Sequence, residues 1–171
     1  MPTLPRIGVT FEHSNSIDGS ENLSIGQILY CGRGPDENYI DRNTASRHGV
    51  YSYKFADHYI VPSECGNRTD VRWLTLANQV VVTSGDGKEM FQFSVNTAEQ
   101  EIIHEALHTS DVPGAGDKVF VNLDYKQMGV GGDCSWFPCV YEEFKIDPSQ
   151  KSFEFDFTIT PCSPYHGNLI D

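Results

Sequence analysis

Two stretches and one helix of this chain carry residue types that could do chemistry. In the first, Met128-Gly-Val-Gly-Gly-Asp-Cys-Ser-Trp136, a glycine-dense loop delivers a tryptophan beside Asp133. Glycines admit positive φ and close backbone approach, so such a loop can wrap a small ligand. An indole face offers apolar contact to the C–H face of a sugar and leaves the hydroxyl rim to polar groups. The alternative is that Trp136 plugs an edge of the fold. In the second stretch, Asp36, Glu37, Asn38, Asp41 and Arg42 crowd into seven positions after Gly34-Pro35. Oxygen ligands grouped on a short loop suit calcium, which takes ~6–8 of them. A network through Arg42 that braces the loop is the competing reading.

The helix contains His104-Glu-Ala-Leu-His108, the spacing of a zinc protease motif in which two histidines hold metal and the glutamate activates water. A helix over Ala98–Leu107 is expected, with Thr97 and Gln100 forming a capping box. Ile102, Ile103, Ala106 and Leu107 would form its buried stripe. At ~100° per residue, both histidines then lie roughly 150° from the centre of that stripe, facing solvent. The extended form of the motif is also missing, because Asp111 stands where it needs glycine. A zinc protease is the weakest of the functional readings.

The elements that must position these residues read as strands. The chain has 171 residues, enough for a genuine core, and 12% of them are aromatic. Strands are expected over Arg6–His13, Ser24–Cys31, Val50–Tyr53, His58–Val61, Val71–Ala77 and Gln79–Ser84. An Asp86-Gly87 hairpin turn would lead into Met90–Val95. Val119–Tyr125, Tyr141–Ile146 and Ser152–Ile159 complete the set, the last alternating Phe153, Phe155, Phe157 and Ile159 on one face. Many short strands with regular turns predict an all-β antiparallel sandwich with one short helix, as a single domain over residues 1–171.

With 24 acidic against 12 basic residues, the formal charge of −12 disfavours nucleic acid and anionic membranes as partners. No apolar run approaches the ~20 residues of a membrane span, and Met1-Pro-Thr-Leu-Pro5 lacks an apolar leader core. The five cysteines include no C-x-x-C pair, which argues against structural zinc. Their odd number leaves one thiol free or bonded to another chain in an oxidising compartment. Two sequons, Asn22-Leu-Ser24 and Asn67-Arg-Thr69, lean the same way, towards a secreted protein.

Four blocks in order resemble the C-terminal part of the large, lacZ-like β-galactosidases of family 2: Leu4–Gly8, Gly32–Arg42, Val61–Gly66 and Asn122–Trp136. The resemblance implies half of that family's C-terminal supersandwich, with Trp136 lining a sugar pocket and the matched loops gathered at one end. On it, Trp136, Asp133, Arg42, Glu37 and Asn38 are candidate sugar-binding residues. Glu37, Asn38, Asp41, Glu64 and Asp133 are candidate Ca2+ ligands. The chain departs from the family where Cys134 replaces a second acid, and a Cys134–Cys139 disulfide is one way to stiffen the loop. Retaining glycosidases need two carboxyl groups ~5–5.5 Å apart, which in this family come from a barrel with no counterpart here. The chain is therefore expected to be non-catalytic. The leading expectation is a galactose-binding lectin for terminal galactose of glycans, calcium-dependent, homodimeric and disulfide-linked. The alternative is a small chain or fragment that completes a β-galactosidase.

Overall fold

The structure is a computed structural model that describes residues 4–14, 28–53, 66–76, 80–85, 87–114, 116, 118–137 and 139–162. The expected strand His58–Val61, and Glu64 and Cys65, lie outside the described residues. Among the described residues nine strands form two antiparallel sheets. They are β1 (Arg6–Ser14), β2 (Ile28–Gly34), β3 (Arg47–Tyr53), β4 (Arg68–Val71), β5 (Trp73–Leu76), β6 (Val80–Ser84), β7 (Phe91–Asn96), β8 (Lys118–Gln127) and β9 (Phe157–Pro161). One sheet runs β1-β8-β7-β4 and the other β3-β2-β5-β6-β9. The all-β sandwich with one short helix is thus what the chain forms.

Period-two alternation explains the core. Ile28 and Tyr30 of β2, Leu74 and Leu76 of β5 and Val82 of β6 meet Phe91, Phe93 and Val95 of β7 and Val119, Val121 and Leu123 of β8. The opposite face of the four-stranded sheet is buried but polar. Thr10 Oγ1 donates to Asn122 Oδ1 at 2.7 Å, and Asn122 Nδ2 donates to Ser94 Oγ at 3.0 Å. These residues are in register across β1, β8 and β7, so one relay ties three strands. Two steps along, Arg6 pairs with the buried Asp124 at 2.5 Å.

Several expected elements change form. Val71–Ala77 is not one strand: the chain crosses between sheets at Arg72, whose N–H donates to Cys31 O at 2.8 Å. β6 and β7 form no hairpin either, because β6 already pairs with β5 and β9 and has no free edge for β7. Tyr141–Ile146 is a 3-10 turn over Glu142–Phe144 followed by an isolated Leu4–Ile146 bridge. The aromatic alternation near the C-terminus holds although only Phe157–Pro161 is strand. Phe155 stacks on Tyr125 at 5.7 Å, and Phe157 meets Phe11 of the facing sheet edge-on at 5.8 Å.

The helix α1 covers only Gln100–Glu105. Thr97 Oγ1 donates to Pro113 O at 2.8 Å and makes no capping box. The Asp111 carboxylate accepts the N–H groups of Leu107 and His108 at 3.2 and 2.9 Å, drawing both out of the helical ladder. Of the expected stripe, Ile103 is buried while Ile102 and Leu107 are exposed. His104 and His108 therefore share no helical face, and the zinc-protease geometry is not formed.

Burial raises the pKa of Tyr30, whose hydroxyl accepts from Arg68 Nε at 3.1 Å. The neutral phenol is thus favoured in the folded state. Stability from this source is complete below the unfolded tyrosine value of 10.0 and is lost as pH rises through the higher folded value. Urea unfolding between pH 9 and 11 is expected to show a falling midpoint, with a shallower fall in Tyr30→Phe.

Candidate functional site

The glycine loop leaves the end of β8, and its backbone is held by residues far away in sequence. Four consecutive N–H groups find acceptors outside the loop: Met128 on Pro5 O (2.8 Å), Gly129 on Phe144 O (2.9 Å), Val130 on Asp41 Oδ1 (3.1 Å) and Gly131 on Asp41 Oδ2 (2.8 Å). Backbone that leaves a sheet needs such substitutes for its ladder partners. The Gly131 carbonyl accepts from Arg42 Nε at 2.9 Å and also from Arg42 Nη2. Asp41 and Arg42 can do this because Tyr39 and Arg42 close a tight turn, with Arg42 N–H donating to Tyr39 O at 2.8 Å.

Glycine is required here by contacts within the chain. Gly131 and Gly132 have φ of 68° and 91°. A Cβ at Gly131 would lie 2.2 Å from Cys139 O, and one at Gly129 would lie 2.6 Å from Asp41 Oδ2. The close approach that the sequence suggested for a ligand is made by Asp41 and Cys139. Beyond this clamp the loop is open. Trp136 is 91% exposed, so it plugs no edge of the sandwich, and Phe137, Tyr141 and Asp133 are exposed near it in the chain.

The acidic stretch divides in two. Asp41 and Arg42 reach the glycine loop, whereas Glu37 and Asn38 bind the segment before and within β4. Glu37 Oε2 accepts Gly66 N–H at 2.9 Å, and Asn38 Oδ1 accepts Thr69 N–H at 3.0 Å. Asn38 is fully buried, and its Nδ2 donates to Arg33 O and Asp36 O, both at 3.0 Å. Among the described residues no three His, Cys, Asp or Glu side chains converge as metal ligands, and Glu37 and Asp41 are engaged with backbone amides. Arg42 acts as a brace, through a carbonyl and not through a salt bridge. Cys31, Cys134, Cys139 and Cys162 are free thiols, so the Cys134–Cys139 disulfide is not formed.

Asp41 as a backbone clamp is the role that sequence reasoning missed. Its only signal was an acid beside an arginine in a tight turn, and nothing local named its partners. Gln127, the last residue of β8, was missed altogether.

The family described as Beta galactosidase small chain matches residues 1–159. This chain belongs to that family. It is 35% identical over 170 residues to a β-galactosidase of Vibrio vulnificus (strain CMCP6), covering 95% of this chain and 15% of that protein. A β-galactosidase of Priestia megaterium is 33% identical over 171 residues, covering 94% of this chain and 15% of its own length. Similarity extends to β-galactosidase BgaC of Bifidobacterium adolescentis, 32% identical over 157 residues. The chain thus spans only about 15% of the length of the curated relatives it matches.

The clamp makes a testable demand. Asp41→Ala should lower stability by about 1–3 kcal/mol, the range for leaving hydrogen-bonded groups without their partner. Gly131→Ala should cost a similar ~1–3 kcal/mol through forced positive φ. In urea unfolding the double variant should fall short of the sum, since both act on one loop.

Proposed function

We propose that this small-chain domain contributes the sugar-facing, non-catalytic part of a β-galactosidase, completing a pocket whose catalytic carboxylates lie on a barrel. The observation that carries the reading is Trp136, an indole 91% exposed on a loop whose backbone is clamped. A loop clamped at its start has fewer conformations to lose, which lowers the ordering cost of docking its ring on a ligand. Trp136 stacks on the apolar face of the galactosyl unit, and Asp133, next to the glycines, faces its hydroxyls. Arg42 serves indirectly, by holding Gly131.

The chain's own acids support a non-catalytic role. Glu142 and Glu143 are neighbours on a 3-10 turn, both exposed, and Glu142 is paired with Lys145. They do not resemble the facing pair that glycoside hydrolysis requires. The same exposed indole suits a second reading, a secreted, dimeric, calcium-dependent lectin for terminal galactose. It has less support, because the similarity runs to a fixed portion of much longer enzymes.

A chimera separates the two. The matching segment of the Vibrio vulnificus β-galactosidase is replaced by this chain and lactose hydrolysis is measured. Activity should be retained, and Trp136→Ala should lower kcat/KM by at least about tenfold, or ~1.4 kcal/mol of transition-state binding. A chimera whose activity ignores that substitution overturns the proposal. Saturable binding of galactose over glucose by the isolated chain, lost on adding chelator, would favour the lectin.

A further inference from the structure

A cavity of about 290 Å³ lies against the polar outer side of the four-stranded sheet, beside Ile40 at the tip of the Tyr39–Arg42 turn. Gln127 lines it and is only 5% exposed, yet among the described residues neither its Nε2 nor its Oε1 has a hydrogen-bond partner. A buried amide left so costs about 1–3 kcal/mol per group, so a native fold keeps one only where something satisfies it. Gln92, on the same wall, accepts from Asn67 Nδ2 at 2.9 Å, and the buried Asn67 Oδ1 likewise has no partner.

The rest of the lining selects the ligand. Tyr125, Phe144 and Ile146 supply apolar surface. The charged groups are balanced and mostly engaged: Lys145 with Glu142, Asp70 with Arg33, and Lys126 Nζ over the Tyr125 ring at 5.1 Å. Nothing there calls for a net charge. An amide that needs both an acceptor and a donor is matched by hydroxyl groups, which are both. A single water occupies ~30 Å³, far less than this space.

We infer that this cavity binds a neutral polyhydroxylated molecule of monosaccharide size or smaller, oriented by the Gln127 amide. The site is separate from the Trp136 loop and does not depend on its role. Gln127→Leu removes the amide at nearly constant volume, and Met90→Trp fills the space from its exposed rim.

Ligand-detected NMR titrations of the whole chain with glycerol and with galactose test the inference. Saturable binding of either probe should weaken at least about tenfold in both Gln127→Leu and Met90→Trp, and persist in Trp136→Ala. A crystal soaked with the same probes should show hydroxyls on Gln127. The inference is overturned by binding that survives both cavity variants, by loss in Trp136→Ala alone, by no saturable binding, or by water alone on Gln127. Loss in Trp136→Ala alone overturns the cavity site and leaves the indole proposal standing, whereas a chimera whose activity ignores that substitution overturns the indole proposal alone, so the two fail separately.

Discussion

A carboxylate with one backbone amide on each oxygen holds the start of the loop that carries Trp136. Asp41 takes the N–H groups of Val130 and Gly131, residues 89 and 90 positions further along the chain. Arg42, the next residue, takes the Gly131 carbonyl. Both backbone polar groups of one residue, Gly131, are thereby held by two consecutive side chains of one tight turn. Charge-assisted bonds of this kind are roughly twice as strong as neutral ones. The need for glycine at Gly129 follows from that clamp, since a Cβ there would lie 2.6 Å from Asp41 Oδ2.

The sandwich supplies the rigidity against which the clamp works. Its four-stranded sheet is buried on both faces along β7, with aromatic and aliphatic side chains inward and Gln92, Ser94 and Asn96 outward. A polar layer under loops is stable only when its members find partners. The Thr10–Asn122–Ser94 relay and the Arg6–Asp124 pair meet that condition. Gln127, at the end of β8, does not among the described residues, and this contrast makes its cavity chemically distinct.

Legibility followed the range of the forces involved. Strands β1, β2 and β8 could be read because their alternation of apolar and polar residues is local. The Asp86-Gly87 turn misled because turn chemistry states that the chain reverses, not which sheet receives it. The helix ran short because Asp111, outside the expected helix, captured the amide of its last residue Leu107 together with that of His108. The acidic stretch was recognised as a functional loop, yet its division between Gly66–Thr69 and Gly129–Gly132 was invisible. Carboxylates grouped in sequence look alike whether they meet a cation or a backbone amide.

By itself the sequence determined the all-β class, the resemblance to one enzyme family, and the importance of a glycine loop ending in tryptophan. Periodicity and residue type carry the class and the loop, because each depends on neighbours within a few positions, while the resemblance rests on four motif blocks kept in order along the chain. Tertiary structure alone decided that Trp136 faces outward, that glycine is needed against Asp41 and Cys139, and that Gln127 lies buried beside a cavity. Those outcomes depend on which distant backbone groups come within hydrogen-bonding reach once two sheets have packed, a relation that no local pattern encodes.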